Sequence, residues 1–134
     1  MDRVILKKFL KKAVYYWFPV VFWCSLIFYL SGIQNLRTNF GFWDLILRKL
    51  AHVTEYGVLY LLLERALRNS SESIRTAGRL SVVFALLYAV SDEIHQALVP
   101  TRGSSAADVG IDFIGISAAY LINLTKARFH EEKQ

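Results

Sequence analysis

Hydrophobic residues along this chain gather into long blocks, and polar residues mark the breaks between them. Ala13 to Leu30 runs A-V-Y-Y-W-F-P-V-V-F-W-C-S-L-I-F-Y-L, 18 residues without a charge. At ~1.5 Å per residue, with Ser31 and Gly32 added, it predicts a helix long enough to cross a hydrocarbon core. Tyr15, Tyr16 and Trp17 stand where an aromatic belt belongs, and Tyr29 stands near the other end. The stretch is long for the apolar part of a signal peptide and no small-x-small site follows it at once, so a retained helix is expected. Before it, Met1 to Lys12 reads as a basic flank rather than as a short interfacial helix.

The second block, Leu45 to Leu67, is less uniform. Its uncharged run, Tyr56 to Leu63, is too short to span alone. Extended backwards it takes in Lys49, His52 and Glu55, three residues apart, which predicts one polar stripe with Tyr56 beside it. Leu50, Val53, Val58, Leu61 and Leu62 cover the other faces, as on a bundle helix that borders a hydrated pocket. The third block, Leu80 to Val99, is charge-free in its first half and carries Asp92, Glu93, His95 and Gln96 in its second, before Pro100. Ser104 or Ser105 can cap a fourth block from about Ala106 to Leu124. There Asp108 and Asp112 are one helical turn apart, and Gly115, Ser117, Ala118 and Ala119 permit close helix packing. The expected fold is all-α: one integral membrane four-helix bundle over residues 1–134, with helices near 13–31, 47–67, 79–99 and 106–125.

Composition agrees with that class. Hydrophobic residues make up 54% and charged residues 20%, which is apolar for a soluble domain. The net charge of +5 does not point to nucleic acid, because Lys and Arg flank the apolar blocks. Twelve of them fall on one side of a four-span arrangement and four on the other, which predicts a multi-pass protein of the cell membrane with both termini cytoplasmic. Cys24 is the one cysteine, so no internal disulfide forms, and it reads as a small apolar filler.

Connectivity then places the polar groups together. The second helix starts at the outer face with His52 and Glu55, the third ends there with Asp92 to Gln96, and the fourth begins there with Asp108 and Asp112. Ionisable groups at membrane depth mark functional sites by default. Asp92, three residues before His95, is placed to orient an imidazole for acid–base work, and His52 with Glu55 forms a second such pair. His52, Glu55, Asp92, Glu93 and His95 are therefore the catalytic candidates. Tyr56, Gln96, Arg102, Asp108 and Asp112 are the ligand-binding candidates, with the Arg102 guanidinium suited to a phosphate or carboxylate. The spacing matches no strong zinc pattern, and neither metal nor other cofactor is expected. Three readings stay open: an enzyme, a binder of a membrane lipid or lipid-linked envelope precursor, and a structural protein whose polar cluster only holds the helices together.

At these residues the chain resembles the VanZ-like family of small membrane proteins. The resemblance rests on His52-Val-Thr-Glu55-Tyr56-Gly57, on Ser91-Asp92-Glu93-Ile94-His95-Gln96, and on Pro100-Thr101-Arg102, Asp108 and Gly115; Ser31 and Gln34 also fit. It covers roughly residues 13 to 124. Asp112 stands where the pattern leads one to expect Asn, which adds an acid to the cluster. The resemblance implies a cell-envelope protein of a family with some members linked to teicoplanin-type glycopeptide resistance, and it implies no particular reaction.

Overall fold

A computed structural model describes residues 3–33, 41–70, 73–100 and 104–131, the side chains of 4 and 128–131 excepted. They form four helices: α1 (Arg3–Ser31), α2 (Phe42–Asn69), α3 (Ile74–Leu98) and α4 (Ala106–Glu131). No strand occurs among the described residues. All four helices are longer than the hydropathy pattern predicts. The basic flank continues α1 without a break, because Arg3 to Lys12 contains no glycine or proline and alternates aliphatic with lysine positions. Helix α2 likewise starts at Phe42, just after Gly41, whose φ of 55° is open to glycine at little cost. Helix α3 starts at Ile74, where the Ser73 hydroxyl accepts a hydrogen bond from the Thr76 N–H at 3.2 Å.

Long apolar segments of α1, α3 and α4 meet the length and hydropathy needed to cross a membrane. Their outward faces carry exposed Phe18, Phe22, Phe28, Val83, Phe84, Leu87, Phe113, Ile114 and Leu121. An apolar surface of that extent is stable against lipid and a liability in water, so this is a membrane protein.

The second helix is the centre of the bundle. It packs against each of the other three, whereas among the described residues α1 and α4 do not meet. It is also the helix that falls short of spanning hydropathy. The two facts have one cause: a helix enclosed by protein is free to carry polar side chains that a lipid-facing helix cannot. Its buried positions include His52, Tyr56, Tyr60 and Glu64, at a spacing of four. The sequence pattern predicts instead a stripe at Lys49, His52 and Glu55. Steps of three turn back by about 60° on an α-helix while steps of four advance by only about 40°, so the series of four stays on the inner face longer. Lys49 is accordingly exposed and Glu55 half-buried.

Small residues set the helix spacing. Ala77, Ser81, Ala85 and Ala89 on α3 are fully buried and let it lie close to its neighbours. The tightest approach is between α2 and α4. A side chain built on Gly115 would run into the Val53 backbone, with Cβ 2.9 Å from its carbonyl carbon and 3.0 Å from its Cα. Between the ends of the bundle, Leu59, Ala85, Ala89 and Ile116 belong to a buried apolar core. The polar groups diverge from it. Tyr56 lies beside Asp92, near the end of α3, while the Tyr60 hydroxyl reaches toward Gly78, near its start.

Candidate functional site

The site is assembled from α2, α3 and α4 at the end of the bundle where α2 and α4 begin and α3 ends. Its best-defined contact joins His52 Nδ1 to Asp112 Oδ1 at 2.9 Å, across the α2–α4 interface. Both residues are buried, at 9% and 1% exposure. With Asp112 ionised the carboxylate can only accept, so in that state Nδ1 carries the hydrogen and Nε2 is the second polar edge of the ring. On α3 the Gln96 amide donates to Asp92 Oδ2 at 2.8 Å, and the buried Tyr56 hydroxyl faces the same carboxylate. Glu93 Oε2 accepts from the Ser105 N–H at 3.0 Å, which ties the end of α3 to the start of α4. The Ser105 hydroxyl in turn accepts from the Ala107 N–H at 3.1 Å, so Ser105 takes the capping role.

These bonds leave several buried atoms without a partner among the described residues: Tyr56 Oη, Asp92 Oδ1, Glu93 Oε1 and Asp112 Oδ2. Leaving one buried polar atom unsatisfied costs about 1–3 kcal/mol, more for a charged group. All four lie in the polar cluster, and the Tyr56 hydroxyl and Asp92 face each other.

Beside this cluster opens a cavity of about 80 Å³, lined by Leu45, Arg48, Lys49, His52, Gln96, Asp108 and Ile111. A single water needs roughly 10–15 Å³ of such space, so the cavity admits a group the size of several waters. His52 lines the cavity, and its Nδ1 is bonded to Asp112. Arg48 at the wall is bonded to Asp44, one turn earlier on α2, at 3.0 Å. Asp108 and Glu55 are both near enough to act on the charge of His52. No group of three or more possible metal ligands is found among the described residues.

Two pairings expected from spacing are replaced. His95 is not held by Asp92. Its Nδ1 meets the Ser31 hydroxyl at 3.2 Å, and its ring stacks on Phe28 with centroids 4.1 Å apart, so it faces α1. Three residues leave two side chains about 60° apart on a helix, and at this position Asp92 meets Tyr56 of α2 while His95 meets α1. His52 is bonded not to Glu55 but to Asp112, for the same reason. Glu55 contributes a backbone carbonyl that accepts from Trp23 Nε1 at 2.9 Å. His52, Tyr56, Asp92, Glu93, Gln96, Asp108 and Asp112 are thus brought to one region. His95 lies elsewhere, Glu55 is at the edge, and Arg102 and Gln34 fall outside the described residues.

Leu45 and Ile111 as cavity walls, and Asp112 as the partner of His52, were not apparent from spacing. The depth at which α2 and α4 start carries that signal, once the two helices are set parallel and side by side.

A search of the curated proteins and of the solved structures returned no match. A family model does match, described as VanZ/LLP1 and aligned over residues 6–126. That range takes in nearly all of α1 and α4, the whole of α2 and α3, and every residue of the polar cluster, and the chain belongs to the VanZ/LLP1 family.

Proposed function

We propose that this VanZ-like protein sits in the cell envelope and uses its polar pocket, at the outer leaflet, to bind or act on a lipid or lipid-linked wall component. The observation that carries the reading is the Asp112–His52 pair behind a cavity walled by Arg48, Lys49, Gln96 and Asp108. Carboxylate, imidazole and cationic groups around a small cavity suit a charged headgroup, and Leu45 and Ile111 beside them suit the start of an apolar chain. The outer-leaflet position rests on the Lys and Arg distribution, which favours four spans with both termini cytoplasmic. Altering a surface lipid or wall precursor in this way would change what a teicoplanin-type glycopeptide meets, and we place the family's resistance phenotype there.

Mass spectrometry of lipids retained by the purified protein tests this reading. Wild type is expected to retain headgroup-bearing species that His52→Ala loses. Identical retained lipids in both would overturn it. A second reading is favoured by the same His52–Asp112 bond: it joins α2 to α4, so the cluster serves as interhelical glue. On that account His52→Ala destabilises the fold and leaves the lipid profile of the folded fraction unchanged.

A further inference from the structure

The cavity is not uniformly basic, and its mixed charge bears on what fits. Resting on the headgroup reading above, the question becomes which headgroup. The α2 wall presents Arg48 and Lys49, while the α4 wall presents Asp108. Arg48 is already engaged by Asp44. Among the described residues neither Lys49 nor Asp108 has an ion-pair partner within 4.0 Å. Two opposite charges thus line one small cavity without closing on each other.

A purely anionic group would meet Lys49 but would also face Asp108, with Glu93 and Asp112 near enough to act on one another and on Asp108. Like charges at close range oppose binding. A purely cationic group would meet Asp108 but face Lys49 and Arg48. A group that carries both signs meets neither conflict. Asp108 also lies in the first turn of α4, where an acid is favoured by the helix dipole. That accounts for an acid at this end of the helix but not for its place in a cavity wall across from Lys49.

We propose that the cavity takes a zwitterionic lipid headgroup, its phosphate on the Lys49–Arg48 wall beside His52 and its primary ammonium on Asp108. Leu45 and Ile111 then flank the first carbons of the lipid.

The test is a binding titration of the detergent-purified full chain with short-chain phosphatidylethanolamine, phosphatidylglycerol and phosphatidylcholine. Phosphatidylethanolamine is expected to bind about tenfold tighter than phosphatidylglycerol, the scale of one charge-assisted hydrogen bond. It should also exceed phosphatidylcholine, whose ammonium has no N–H to donate. Asp108→Asn should bring phosphatidylethanolamine down to the phosphatidylglycerol level, Asp108→Glu should keep the preference, and Lys49→Gln should weaken all three. Equal or tighter binding of phosphatidylglycerol to wild type overturns the zwitterion proposal and leaves the headgroup reading standing. Equal binding of phosphatidylcholine overturns the primary ammonium. Binding of none of the three overturns both. Soluble glycerophosphoethanolamine separates the possible sources: it should compete only at far higher concentration, and potency equal to the lipid's overturns the assignment to a lipid.

Discussion

Gly115→Ala inserts one methyl group where α2 and α4 come closest. The new Cβ would stand 2.9 Å from the Val53 carbonyl carbon and 3.0 Å from its Cα, and closer still to its carbonyl oxygen. Ordinary contact begins near 3.4 Å, and the carbonyl oxygen is the nearest obstacle, so the helices must part by about 1 Å or more. The obstacle is backbone and cannot rotate aside. Overpacking of this kind costs about 1–3 kcal/mol, and the upper end applies here. Alanine returns about 1 kcal/mol of helix propensity, which leaves a net loss of about 2 kcal/mol. In a chain of this size that lowers the unfolding midpoint by roughly 5–10 °C. The effect also has a local reading. Val53 follows His52, and Gly115 is three residues beyond Asp112, so the wedge sits beside the pair. Parting the helices by that amount stretches a 2.9 Å bond to about 4 Å or more, beyond hydrogen-bond range. Tryptophan fluorescence during heating of the detergent-purified protein measures the first effect. The exchange-protected imidazole N–H signal of His52 measures the second. Gly110→Ala is the control, because a Cβ there meets nothing within 4 Å. It should be neutral or stabilising by about 1 kcal/mol. A Gly115→Ala protein with an unchanged midpoint and an intact His52 signal would refute the reasoning.

Other predictions follow from the same contacts. His95→Ala should cost about 1–2 kcal/mol, the Phe28 stack plus the Ser31 bond, yet leave the lipids retained by the folded protein unchanged; loss of those lipids would place His95 in the site. Asp112→Ala should destabilise by about 3–5 kcal/mol because it strands His52, whereas Asp112→Asn, which can still accept from Nδ1, should cost clearly less in the same thermal assay. A topology reporter fused after Arg48 should read outside and one fused after Arg75 inside; matching signals would sink the four-span arrangement.

The sequence makes the bundle legible through its blocks, and it makes the site's depth legible through the chain direction of each block. Three things were hidden. The inward face of α2 was hidden because spacings of three and of four both fit so short a polar pattern, and only packing from three neighbouring helices selects the latter. The partner of His52 was hidden because a 60-residue separation leaves no local trace, whereas Glu55 nearby does. The role of His95 was hidden for a third reason. Its partners, Ser31 and Phe28, belong to α1, which is apolar enough to read as an anchor. Gly115 stood out as a small residue, but only the structure identifies Val53 as what it makes room for.

The central claim is that the cavity beside His52 receives a lipid headgroup. A photoreactive residue in place of Ile111, which lines the cavity, tests it most directly against the same residue in place of Ile114, which is 59% exposed on the outer face. After irradiation in membranes, adducts at 111 should be joined through or close to a lipid headgroup, and those at 114 through acyl chains. Acyl-chain adducts alone at both positions would contradict the account.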